Sequence, residues 1–134
     1  MQIDGQCHCA RVRYTATVDP KNASVCHCTD CQTISGTAFR TTIRVPDSDF
    51  EMTGKTKSYM KIAASGNERT LVFCPNCGTQ MLGMPPGDGP KLISLRLGTS
   101  NQRALLPPRR QIWCNSAMPW VNDLAGVPRS PEQD

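Results

Sequence analysis

In residues 11–18 the sequence RVRYTATV sets Val12, Tyr14, Ala16 and Val18 against polar or basic neighbours. Successive side chains of a strand point to opposite faces, so this two-residue alternation marks a half-buried strand. Similar runs follow at residues 37–45 (TAFRTTIRV), 58–63 (SYMKIA), 69–73 (RTLVF) and 91–97 (KLISLRL). The segments DPKN, VPDSD, ASGNE and MPPGDGP separate them, each rich in residues that favour turns. The pattern predicts a mainly β chain of short antiparallel strands. No stretch sustains a 3.6-residue apolar period with caps, although residues 30–35 fit one helical turn.

Composition narrows this picture. The 134 residues suffice for one core but hardly for two, so residues 1–125 read as a single domain and residues 126–134 (GVPRSPEQD) as a surface or disordered tail. Aromatic residues make up 5% and mean hydropathy is −0.40, which leaves a core of Val, Ile, Leu and Met that needs external staples. The opening MQIDGQCHC has no basic stretch followed by an apolar one, and no apolar run reaches membrane-spanning length. A soluble, cytoplasmic protein without a membrane partner is expected. In that compartment eight cysteines in C-x-C and C-x-x-C clusters read as metal ligands rather than disulfides.

Charge changes little. The formal +4 falls to about +1 once seven thiolates and two dications are counted. Arg11, Arg13, Arg40, Arg44, Lys55, Lys57, Lys61, Arg109 and Arg110 form no long run. Solvated strand faces account for them, and no nucleic-acid partner is expected.

The chemistry lies in three cysteine clusters: Cys7 and Cys9; Cys26, Cys28 and Cys31; Cys74 and Cys77. Residues i and i+2 of a strand share a face, so Cys7 and Cys9 can clasp one ion. In CPNCG, Pro75 and Gly78 shape a tight knuckle that presents two sulfurs. A single ribbon of Cys28, Cys31, Cys74 and Cys77 would leave roughly 40 residues between its pairs, against the usual 15 to 20, and would strand Cys26. The economical partition gives Cys7, Cys9, Cys74 and Cys77 one structural zinc, closed by four thiolates. Cys26, Cys28 and Cys31 then hold a second zinc with a position left for substrate, the mark of catalytic zinc. His8, His27 or Cys114 could instead close that triple, although His8 and His27 lie between ligands and should point away from the metal. Cys114, alone in QIWCNSAMPW, reads as a packed small hydrophobe, and Trp113 and Trp120 as core or pocket wall.

GQCHCARVRY, VCHCTDCQTISGTAF, VFCPNCGTQM, LGTSNQRALLPPRRQIW and SAMPW occur in the order seen in glutathione-dependent formaldehyde-activating enzymes, which this sequence resembles over residues 5–120. The resemblance implies coiled antiparallel sheets of the Mss4-like (β-tent) type stapled by zinc. It implies the same two sites, with Cys26, Cys28 and Cys31 at the active one. The implied reaction, a carbon-sulfur lyase activity, adds the glutathione thiol to formaldehyde to give S-(hydroxymethyl)glutathione, and reverses it. A thiol such as glutathione and an aldehyde are thus the expected partners. Two segments depart from the pattern: Ala10 follows Cys9 where members carry Gly, and Gly98, Thr99, Ser100 and Asn101 stand where members commonly read GTLD. The alternative function is a non-catalytic zinc-stapled binding module, with both metal sites structural.

Overall fold

A computed structural model describes residues 1–133; Asp134, the last residue of the expected tail, lies outside the described residues. The chain forms β1 (Gln2–Gln6), β2 (Arg13–Thr17), β3 (Ala23–Cys26), α1 (Thr29–Ser35), β4 (Arg40–Pro46), β5 (Phe50–Thr53), β6 (Lys57–Ile62), β7 (Glu68–Phe73), β8 (Gln80–Met84), β9 (Leu92–Arg96) and β10 (Arg110–Ile112). Two sheets result. The smaller has the order β1-β2-β5, and the larger β10-β3-β4-β9-β8-β7-β6. All pairings between strands are antiparallel except β10 with β3, where the sheet is parallel at its edge.

The core lies between the sheets. Ile3, Tyr14 and Ala16 from the small sheet meet Ile43, Val45, Val72, Met81, Ile93 and Leu95 from the large one. Alternation along β4 and β9 dictates what the far face carries. With Ile43 and Val45 turned inward, Arg40, Thr42 and Arg44 point the other way. With Ile93 and Leu95 inward, Ser94 and Arg96 do the same. The far face of the large sheet is therefore a polar floor, and the cysteine triple sits on it.

The five alternating runs are strands, as expected, with ends shifted by at most three residues. The other five were not legible as alternation. β3 is buried along its whole length and so shows no polar half. β8 is likewise half-buried or buried throughout. β1 has a single large apolar residue, Ile3, and β10 is only three residues long. The expectation of purely antiparallel strands is corrected by β10, which returns beside β3 in parallel after a long excursion from β9. Residues 126–133 are exposed. No helix among the described residues is long and apolar enough to cross a membrane.

Candidate metal centres

The first centre is assembled by two turns. Between β1 and β2 the chain doubles back: the Ala10 N–H donates to the Cys7 carbonyl (3.0 Å) and the Cys7 N–H to the Val12 carbonyl (2.9 Å). Ala10 holds φ at 66°, a left-handed conformation that a Gly at this position would adopt without strain. Between β7 and β8, the Gly78 N–H donates to the Cys74 carbonyl (2.9 Å) with φ at 77°, forming the expected knuckle. The His8 N–H donates to Thr79 Oγ1 (3.1 Å) and so joins the two turns.

The turns bring Cys7, Cys9, Cys74 and Cys77 together, with all four sulfurs within 4.8 Å of one another. The Cys7–Cys9 sulfur distance is 3.6 Å and the Cys9–Cys74 distance 3.7 Å. A zinc ion bound at about 2.3 Å by four tetrahedral thiolates spaces them by about 3.8 Å, so this donor set fits the metal the fold family implies. Polar hydrogens face the sulfurs from the rim. The Val12 N–H lies 3.2 Å from Cys7 Sγ, and the Thr79 hydroxyl 3.2 Å from Cys77 Sγ. That hydroxyl, more than any other neighbour, holds the Cys77 thiol down at about 5. Cys7 and Cys74 are almost fully enclosed by the core.

The second centre stands on the polar floor. Cys26 ends β3, and Cys28 caps α1, its sulfur accepting the Cys31 N–H at 3.3 Å. The cap places Cys28 and Cys31 one turn apart, and α1 stops at Gly36 with φ at 71°. The sulfurs of Cys26, Cys28 and Cys31 lie within 4.8 Å of one another, and no fourth His, Cys, Asp or Glu among the described residues joins them. Three soft thiols at this spacing also suit zinc. In the metal-free chain a hydrogen bond between Cys26 and Cys31 lowers the first thiol and, with burial, raises the second well above the usual thiol range. The pair therefore holds a proton that a bound metal must displace.

A cleft of about 250 Å³ opens on the triple, walled by Arg40, Arg44, Lys61, Arg69, Arg96 and Trp113. Arg40 stands opposite Cys26 in the β3–β4 register, and Arg96 opposite Thr42 in the β4–β9 register. Arg96 lies against β8 where Gly83 leaves room: a Cβ there would meet its Nη2 at 2.9 Å. Burial, followed by the neighbouring charge of Arg40, pushes the Arg96 guanidinium down to about 9, against the opposing pull of Cys31. It still carries its charge at neutral pH.

The residues weighed as closing ligands stay apart from the triple. His27 is buried and turned away, with Nε2 2.7 Å from the Gln111 side-chain oxygen, facing a different cleft that also contains Arg109 and Arg110. His8 and Cys114 are exposed, and neither joins a cysteine group. Cys114 is thus not the packed hydrophobe the sequence suggested, because the short turn at Cys114–Ser116 carries it out to solvent. Trp113 forms part of the cleft wall and adopts φ of 58°. Trp120, half-exposed, belongs to no core. Asn101 lies in a groove with Asp4, Tyr14 and Glu51, so the missing acid of that motif does not touch the cysteine cleft.

Sequence reasoning missed Arg69, Arg96 and Gln32. The first two sit on the outward positions of β7 and β9, but only the register reveals that they converge. Gln32 donates from Nε2 to the carbonyls of His27 (2.8 Å) and Ser116 (2.9 Å), tying the ligand loop to the segment that follows Trp113.

The family profile described as Glutathione-dependent formaldehyde-activating enzyme matches residues 2–116. No curated protein matches the chain significantly. The fold is similar to that of a Rhodobacter sphaeroides protein known from its crystal structure, with a TM-score of 0.59 at 16% identity over 81% of this chain and 98% of that one.

Proposed function

Starting from the fact that the chain belongs to the glutathione-dependent formaldehyde-activating enzyme family, we propose that it is a zinc-dependent carbon-sulfur lyase joining a thiol, glutathione or a similar one, to formaldehyde or a related aldehyde. The observation that carries this reading is the contrast between the two cysteine groups. Four sulfurs enclose one site, whereas three sulfurs face a cleft at the other. We assign the first to structure and the second, Cys26, Cys28 and Cys31, to catalysis, within one zinc domain spanning residues 1–125.

Zinc held by the three thiolates would keep an incoming thiol deprotonated at neutral pH. The residues around it do the rest. Arg40, opposite Cys26 and only 7% exposed, holds the charge balance of the thiolates. Trp113 forms one wall of the cleft. In the forward direction the substrate sulfur attacks the aldehyde carbon, a carbon-sulfur bond forms, and the C=O π pair passes to oxygen. That oxygen takes a proton from solvent, to which the cleft is open, and gives the S-hydroxymethyl adduct. The reverse step returns the proton, breaks the carbon-sulfur bond and restores both reactants.

The test is exchange spectroscopy with ¹³C-formaldehyde and glutathione. The zinc-loaded protein is expected to speed exchange between free aldehyde and adduct, and Cys28→Ser to abolish the effect while the four-sulfur site keeps its metal. An exchange rate unchanged by the loaded protein would leave the binding-module reading in its place.

A further inference from the structure

The cleft beside Cys26, Cys28 and Cys31 is more positive than a thiolate site requires. Arg40, Arg44, Arg69 and Arg96 come from three strands of one sheet face. Arg69 Nη2 lies 3.4 Å from Ser94 Oγ, and Arg96 Nη1 3.3 Å from the Ser94 carbonyl. Arg44 stands opposite Ser94 in the β4–β9 register, so three arginines lie next to one serine, two of them bonded to it. Burial and then the charge of Arg44 lower the Arg69 guanidinium, as expected of like charges held close together.

No acid answers these charges. The one ion pair among the described residues joins Lys61, on the cleft wall, to Asp30 at 2.9 Å, and no Asp or Glu lines the cleft itself. Arg40 and Arg96 are 7% and 8% exposed, and Arg40 Nη2 and Arg96 Nε are buried without a hydrogen-bond partner. A buried charge with unmet donors is strongly destabilising unless something supplies the missing partner. Three thiolates around a divalent metal supply one negative charge, leaving an excess of about three positive charges in the cleft. Its volume of about 250 Å³ lies below the range of drug-sized pockets, so the partner is small.

We propose that the triple-cysteine site favours, ahead of glutathione itself, a small thiol bearing at least two anionic oxygen groups and no ammonium, its anionic end held by Arg44, Arg69 and Arg96. This rests on the lyase reading of the same site and names the substrate class. Guanidiniums bind carboxylate and phosphate alike, through paired N–H donors. An ammonium finds no free acceptor acid in the cleft.

The experiment uses cobalt-loaded protein, reading the cobalt bands while thiols are titrated. The probes are mercaptosuccinate, 2-mercaptoethanol, cysteamine and glutathione. Mercaptosuccinate is expected to bind at least about tenfold tighter than 2-mercaptoethanol, which corresponds to about 1.4 kcal/mol, with cysteamine weakest and glutathione in between. The preference should shrink as salt rises from about 50 to 500 mM. Arg69→Gln and Arg44→Gln, both at partly or fully exposed positions, should each cut the mercaptosuccinate to 2-mercaptoethanol affinity ratio at least about threefold, while Arg109→Gln, in the other cleft, leaves the ratio alone. Competition by succinate against phosphate identifies which anion the subsite prefers, and failure of both to compete overturns the subsite. A ratio near one, or one that survives both substitutions, also overturns it while leaving the lyase reading intact. If no thiol moves the cobalt bands, the lyase reading falls as well.

Discussion

Cys26 and Arg40 face each other across the β3–β4 pair, thiol and guanidinium side by side on the same face of the sheet. The positive charge of Arg40 also draws the Cys31 thiol downward. Removing it as Arg40→Gln is expected to weaken metal binding at the three-cysteine site by roughly tenfold or more, as is usual when a partner of a metal ligand is lost. The four-cysteine site should be unaffected. Competition with a chromophoric chelator resolves the two affinities, and an equal loss at both sites would show that Arg40 acts on the fold rather than on the thiolates.

The two centres should also part company in acid. Hydrogen bonding from Cys26, together with burial, raises the Cys31 thiol, so its proton competes with metal across the neutral range, and occupancy falls as pH falls. In the four-cysteine site burial raises the Cys74 thiol, but the Thr79 hydroxyl holds Cys77 down at about 5 and a hydrogen bond from Asn76 lowers Cys9, so two of its ligands resist protonation as the solution becomes acidic. As pH is lowered from 8 to 5, about one metal per chain is expected to leave before the other. Metal analysis after gel filtration at each pH checks this, and simultaneous loss would contradict it.

Stability should depend on one centre far more than on the other. Cys7 and Cys74 are 1% exposed and belong to the hydrophobic core, whereas Cys28 lies partly exposed on the floor of a cleft. Cys74→Ala removes a ligand and opens a cavity, and it is expected to cost at least 3 to 5 kcal/mol, by order of magnitude, or to prevent folding. Cys28→Ser should cost only about 1 kcal/mol and retain a single metal. Thermal denaturation followed by circular dichroism separates the two cases.

At Ala10 the left-handed backbone, φ 66°, strains any residue with a Cβ. Ala10→Gly is expected to raise stability by about 1 kcal/mol without altering metal content. Urea unfolding measures it, and a loss of stability would mean that the unfolded chain's gain in freedom outweighs the relieved strain.

How far the sequence carried this description depended on what each residue had to reveal. Strands that are half-buried announced themselves, because a buried face and a wet face alternate; Val12, Tyr14, Ala16 and Val18 did so. β3 and β8 did not, because both of their faces are covered. The cysteine groups were readable from spacing and economy, since a knuckle or a cap fixes two sulfurs locally. The arginines were not. Arg69 and Arg96 look like ordinary polar residues on alternating strands, and their convergence depends on registers among β7, β8 and β9 that no local pattern encodes. Cys114 was misread because its apolar neighbours suggested burial, whereas Trp113 and the turn after it leave both side chains largely exposed.

β7 links the cleft, the core and the enclosed centre: Arg69 and Leu71 wall the cleft, Val72 enters the core, and the strand leads into Cys74. The register shifts once along the way, between Val72 and Phe73. For homologues this sets a rule about length rather than identity. Between Arg69 and Cys74, residues 70–73 tolerate exchanges of similar size and polarity, but inserting or deleting one of them would turn the arginine or the cysteine to the wrong face, so length variation in this family should accumulate outside that segment.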